Sequence, residues 1–125
     1  MKPHDEWLLK ANHDLMAAEL LVQNLELLDT GIYHTQQCAE KALKGFLTFH
    51  EREIEKTHHL KPILEECIAI DKKFEILTDD AIFLSPFSTE FRYPDAWMTP
   101  DLADMEQAIL SAKKIYQFVK MRCGE

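Results

Sequence analysis

Between Tyr33 and Lys44 one stretch of chain carries a phenol, an amide, a carboxylate and two amines at helical spacing. Wound at about 100° per residue, Tyr33, Gln37, Glu40, Lys41, Lys44 and Thr48 share one face. Cys38, Ala39, Ala42, Leu43, Phe46 and Leu47 share the other. The polar face concentrates groups that suit an anionic, partly aromatic ligand. Lys41 and Lys44 would neutralise phosphate, Gln37 would supply a hydrogen-bonding amide, and Tyr33 would lie against a base. The plainer reading is a solvated face on which Glu40 and Lys44 form an i,i+4 pair worth a few tenths of a kcal/mol.

Two other islands carry groups of the same kind. Lys56-Thr57-His58-His59-Leu60 follows the helical stretch. Either Thr57 caps the following turn and His58 hydrogen-bonds backbone at a helix start, or the pair contacts phosphate and moves protons near neutral pH. Phe91-Arg92-Tyr93-Pro94-Asp95 is the second island. Arg92 either recognises phosphate through its planar fork or clamps a carboxylate such as Glu40. Tyr93 either stacks on a base or packs, and Pro94 holds it extended.

Other chemistries find less support. Glu55-x-x-His58 is half of a di-iron carboxylate motif without its second half. His34 and Cys38 lack a second pair of metal ligands, so no metal is expected. Cys38 falls on the apolar face, where a thiol is inert. No glycine-rich phosphate loop and no cofactor signature is present. Trp7, Phe46, Phe49, Phe74, Phe83, Phe87 and Phe91 read as core.

A chain of 125 residues reads as one domain, spanning 1–125. Its three cysteines cannot all pair, and two fall on apolar helix faces, which suits a reducing cytoplasm. No apolar run follows Lys2, so no secretory leader is expected. No window approaches the ~20 apolar residues that span a bilayer. A net charge of -8 opposes non-specific binding to duplex DNA. Residues 40–61 depart from that balance, with five Lys/Arg against four acids and three histidines besides.

Helices must position these islands. Only three glycines and no alternating strand pattern predict an all-α fold. A first helix is expected from about Asp5 to Leu28, burying Trp7, Ala11, Leu15, Ala18, Val22 and Leu25. Asp29-Thr30-Gly31 reads as a break. A second helix runs from about Ile32 to Glu51, and a third from about Lys61 to Asp71 on Ile63, Leu64, Cys67 and Ile68. A fourth begins near Asp79-Asp80 and is kinked or split by Pro86. The last opens on Thr99-Pro100 and turns Leu102, Met105, Ile109, Ala112, Ile115 and Val119 inward. Short connections make this a mostly antiparallel four-helix up-and-down bundle with one extra short helix.

The three islands, with Trp7, Ala11, Asp14 and Leu15 at the start, resemble the HEPN family (higher eukaryotes and prokaryotes nucleotide-binding domains). The similarity runs from about Trp7 to Val119. It marks Tyr33, Gln37, Glu40, Lys41, Lys44, Thr57, His58, Arg92, Tyr93 and Pro94. Many members are metal-independent ribonucleases with Arg, four to six residues, then His. Here no histidine follows Arg92, and the formal match of Arg52 with His58 or His59 falls in a link. The resemblance is therefore to the non-catalytic branch. It implies a homodimer that binds a nucleotide or single-stranded nucleic acid and serves as substrate-binding partner of a minimal nucleotidyltransferase. The alternatives are a toxin-like ribonuclease, with Arg52 or Arg92 and His58 or His59, and a ligand-free antitoxin or scaffold subunit.

Overall fold

The computed structural model describes residues 1–91, 94 and 99–124. Among them are five α-helices and no strand. These are α1 (Pro3–Leu21), α2 (Leu28–Phe49), α3 (Leu60–Ile70), α4 (Thr78–Leu84) and α5 (Leu102–Arg122). The fold is the expected all-α bundle, with α4 as the short extra piece. None of the described helices is long and apolar enough to cross a membrane.

The central helix is α2. It packs most extensively on α1 and α5 and also touches α3 and α4. Its predicted apolar face is buried as a unit: Cys38, Ala39, Ala42 and Leu43 expose nothing, Phe46 and Leu47 almost nothing. Leu8, Ala11, Leu15 and Ala18 meet it from α1, and Met105, Ala108, Ala112, Ile115 and Val119 from α5. Phe74 stands between α2 and α5, its ring 4.2 Å from Phe46 and 4.9 Å from Phe118. All three cysteines are free and buried.

The break between the first two helices lies earlier than its residue types suggest. The chain leaves α1 at Val22 and makes a single 3₁₀ turn over Leu25–Leu27, where the Asn24 side chain accepts the Glu26 N–H at 3.0 Å. Asp29, Thr30 and Gly31 all lie inside α2. Gly31 is there for close approach rather than for a turn. A Cβ on it would stand 2.7 Å from the Met105 Cε and 3.1 Å from the Leu21 Cβ. Losing that part of the first helix also leaves Leu25 exposed and Val22 only half-buried, and Trp7, at the opposite end of α1, is half-buried too.

The other boundaries follow local chemistry. The third helix starts one residue early and ends one residue early. Pro86 does split the fourth segment, leaving a 3₁₀ turn over Ser85–Ser88. The last helix is capped by Asp101, not by Thr99. The Asp101 carboxylate accepts the Asp104 N–H at 2.8 Å, and the Asp104 carboxylate accepts the Asp101 N–H at 3.2 Å. That reciprocal box outcompetes a lone threonine. Leu102, at the first position of α5, is consequently exposed, and Ile109 is half-buried at the edge of the seam.

The cap is open to test by thermal melting. Asp101→Ala is expected to cost about 1 kcal/mol, a fall of roughly 4 °C in Tm, whereas Thr99→Ala is expected to leave Tm in place.

Candidate functional site

The polar line of α2 is not uniformly wet. Tyr33, Gln37 and Lys41 are half-exposed, but Glu40 and Lys44 are buried, at 3% and 6% exposure. This corrects the expectation of an open row of charges. A helix enclosed on several sides has no fully solvated face, and a charge buried on it must be paired. The Lys44 Nζ stands 3.0 Å from the Glu40 Oε2 and 5.8 Å from the centre of the Trp7 ring. Its amine is therefore committed within the protein.

Glu40 is the hub of a wider network. The His58 Nδ1 lies 3.2 Å from each carboxylate oxygen. Gln36, also fully buried, donates to the His58 carbonyl at 2.9 Å and to Glu40 at 3.4 Å. Gln37 donates to the Gln36 carbonyl oxygen at 2.8 Å. A carboxylate can only accept, so the His58 Nδ1 carries the proton and the Nε2 edge points away from Glu40. The imidazole is 75% exposed. Thr57 closes the turn that leads to α3, its hydroxyl accepting the His59 N–H at 3.2 Å, while His59, the N-cap of α3, gives that helix no side-chain cap.

A second node joins α1 to α2. Asp14, buried, accepts from the His34 Nδ1 at 2.8 Å and from the Lys41 Nζ at 2.7 Å. Burial pushes the Asp14 carboxyl up, the largest single effect. The hydrogen bonds and charges of His34 and Lys41 together outweigh it and hold the group below its ordinary value of 3.8. Burial likewise pushes the Cys38 and Cys67 thiols far up, which leaves both inert. Among the described residues no three His, Cys, Asp or Glu side chains converge to hold a metal.

What faces open space is a hollow of about 410 Å³ lined by Tyr33, Gln37, Lys56, Thr57, His58, His59, Ser88 and Thr89. Three distant segments meet there. Of the residues marked in the sequence, Tyr33, Gln37, Thr57 and His58 line it. Glu40 stands behind His58, while Lys41 and Lys44 are turned to other partners. Arg92 and Tyr93 lie outside the described residues. Lys56, His59, Ser88 and Thr89 are additional to the marked set. The first two sit in the histidine island and are within reach of the sequence, but nothing local marks Ser88-Thr89. Among the described residues that line the hollow, each polar side chain carries a donor group and none is a carboxylate.

A larger hollow of about 540 Å³ lies elsewhere, against Leu47, Arg52, Glu53, Ile54, Glu55, Glu66, Ala69 and Ile70. Its three carboxylates against one guanidinium repel phosphate. Arg52 thus lines a different cavity from His58 and His59.

Both nodes can be probed by unfolding. Glu40→Ala leaves Lys44 buried and unpaired and is expected to cost about 3–5 kcal/mol in urea denaturation, whereas Glu40→Leu combined with Lys44→Met loses far less. The stability supplied by Asp14 is fully present above its ordinary value of 3.8 and is lost as pH falls through the lower folded value. Asp14→Asn is expected to flatten that acid limb when unfolding free energy is measured against pH.

Known proteins place the fold. A family model of the HEPN domain matches residues 4–122. Two solved structures are similar along almost their whole length. An archaeal HEPN homologue, ST0689, is 27% identical, with 98% of this chain and 99% of that one covered and a TM-score of 0.78. TT1696 from Thermus thermophilus is 26% identical, with 97% and 98% covered and a TM-score of 0.79. No curated protein matches. Because the family match runs from the first turn of α1 to the last of α5, this chain belongs to the HEPN domain family.

Proposed function

We propose that the chain binds a nucleotide or a short single-stranded nucleic acid in the hollow beside Tyr33, and presents it to a minimal nucleotidyltransferase as a homodimeric substrate-binding partner. The observation that carries the binding is the convergence of Gln37, Lys56, Thr57, His58, His59, Ser88 and Thr89, with the Tyr33 ring as an aromatic wall, in a single cavity whose described lining holds no carboxylate. An ammonium, two imidazoles, an amide and hydroxyls suit phosphate oxygens, and Tyr33 suits a base or sugar face. The transferase and the second copy rest on the resemblance to the non-catalytic branch of the family.

A metal-independent ribonuclease is the alternative. One observation favours it: Glu40 orients His58 through Nδ1 and leaves Nε2 facing outward, the posture of a general base. Against it, Arg52 lines a separate cavity. RNA cleavage that disappears in His58→Ala would decide for the enzyme; equal cleavage in parent and variant is contamination.

Calorimetric titration with nucleoside monophosphates and short single-stranded RNA tests the binding reading. Saturable binding that weakens with added salt is expected, with Lys56→Ala and His58→Ala each losing about tenfold in affinity. Absence of binding at millimolar ligand, both alone and with a copurified transferase, rejects it. Sedimentation of the copurified material reports whether two copies and a partner are present.

A further inference from the structure

Tyr33 is a shared wall. On its other side lies a second hollow of about 360 Å³, lined by Asp29, Thr30, Tyr33, His34 and Phe91. Asp29 and Thr30 precede Tyr33 by about one turn of α2, and Gln37 of the first hollow follows it by one. The two cavities are thus offset by roughly a helical turn or two of about 5.4 Å each, the scale of a single nucleotide.

Their chemistry is opposite. Among the described residues the first hollow offers donors and no carboxylate. The second offers two aromatic rings, an imidazole and the half-buried carboxylate of Asp29. Phosphate is repelled by that carboxylate and drawn to the first hollow. A base is accommodated by the rings. The Phe91 ring is packed on Phe87 at 6.0 Å, and its backbone takes a φ of +68°, a conformation that side-chain-bearing residues rarely adopt. The His34 ring is fixed by Asp14 at 2.8 Å, so its Nε2 edge turns away from α1.

Asp29 then narrows the choice of base. One of its oxygens accepts the Thr30 N–H at 2.8 Å. A carboxylate has about four lone-pair sites, so most of its accepting capacity remains. Guanine alone among the common bases shows two adjacent N–H donors on one edge, at N1 and the 2-amino group. Adenine and cytosine set an acceptor beside their donor, which a carboxylate repels, and uracil flanks its one donor with two carbonyls.

We propose that the hollow formed by Asp29, His34, Phe91 and Tyr33 is a guanine-selective base subsite, so that one guanine nucleotide straddles Tyr33 with its phosphate toward Lys56 and His58. This rests on the nucleotide-binding reading above. It adds the base, the orientation and the residue that selects it.

Titration of the full chain with GMP, IMP, AMP and inorganic phosphate tests it. IMP differs from GMP only by the missing 2-amino group. GMP is expected to bind about tenfold more tightly than IMP, and AMP more weakly still. Asp29→Asn keeps an oxygen for Thr30 but replaces the other with a donor, and is expected to bring GMP and IMP to parity. In NMR spectra the His34 and His58 ring protons should both shift with GMP, and those of His58 alone with phosphate. Equal affinity of the parent for GMP, IMP and AMP, or a GMP preference that survives Asp29→Asn, overturns the base subsite while leaving nucleotide binding standing. Failure of every nucleotide and of phosphate to bind overturns both. The comparison of nucleotides on the parent does not depend on the variant folding.

Discussion

A carboxylate with 3% of its surface exposed has lost its water and must find an equal number of partners inside the protein. Glu40 finds three: the amine of Lys44 one turn on, the amide of Gln36 one turn back, and the imidazole of His58 from a separate segment. Only the last is a long-range contact, and it carries a structural consequence. The link after α2 cannot move without leaving the carboxylate short of a partner. Gln36 doubles the tie by holding the His58 carbonyl. The position of residues 56–59, and with it one wall of the donor-lined hollow, depends on a charge buried in the neighbouring helix.

Asp14 repeats the device on the other side of α2. It joins the first helix to the second through Lys41 and fixes the plane of His34. Two acids therefore stand behind two imidazoles, each taking Nδ1 and leaving the opposite ring edge directed outward. The charged groups of the α2 face serve the fold, and the half-exposed groups beside them are what remains for a ligand. The division is not visible from residue type. Lys41 and Lys44 have the same chemistry as Lys56, yet only Lys56 lines the hollow.

That explains which parts of the molecule can be read from the chain. Periodicity reports which way a side chain points, and it places Cys38, Ala39, Ala42, Leu43, Phe46 and Leu47 in the core correctly. It says nothing about how many neighbours surround a helix. Glu40 and Lys44 therefore look solvated in the sequence, although α1 and the 56–59 link cover them. Gly31 and Thr99 mislead for a related reason. A glycine has the same letter whether it frees a turn or admits Met105, and a threonine before proline is a good cap only where no aspartate box lies two residues on. Asp14 and His34 are twenty residues apart and are paired only by the folded chain. Of the residues the family resemblance marks, Tyr33, Gln37, Thr57 and His58 meet in one hollow. The resemblance also marks Glu40 and Lys44, whose contacts here are to the protein itself.

An acidic protein with a net charge of -8 is a poor electrostatic trap for an anion. With Lys41 and Lys44 already neutralised by Asp14 and Glu40, long-range attraction contributes little, and any discrimination at this face must come from short-range geometry. The arrangement suits that requirement. Donors whose positions are set by buried networks lose little entropy on binding, and imidazoles held by carboxylates present one defined edge. An aromatic partition stands between a donor-rich cavity and an acceptor-bearing one, so the two differ by chemistry rather than by charge density. Weak steering combined with rigid hydrogen-bonding geometry favours selection among similar ligands over tight capture of any one of them.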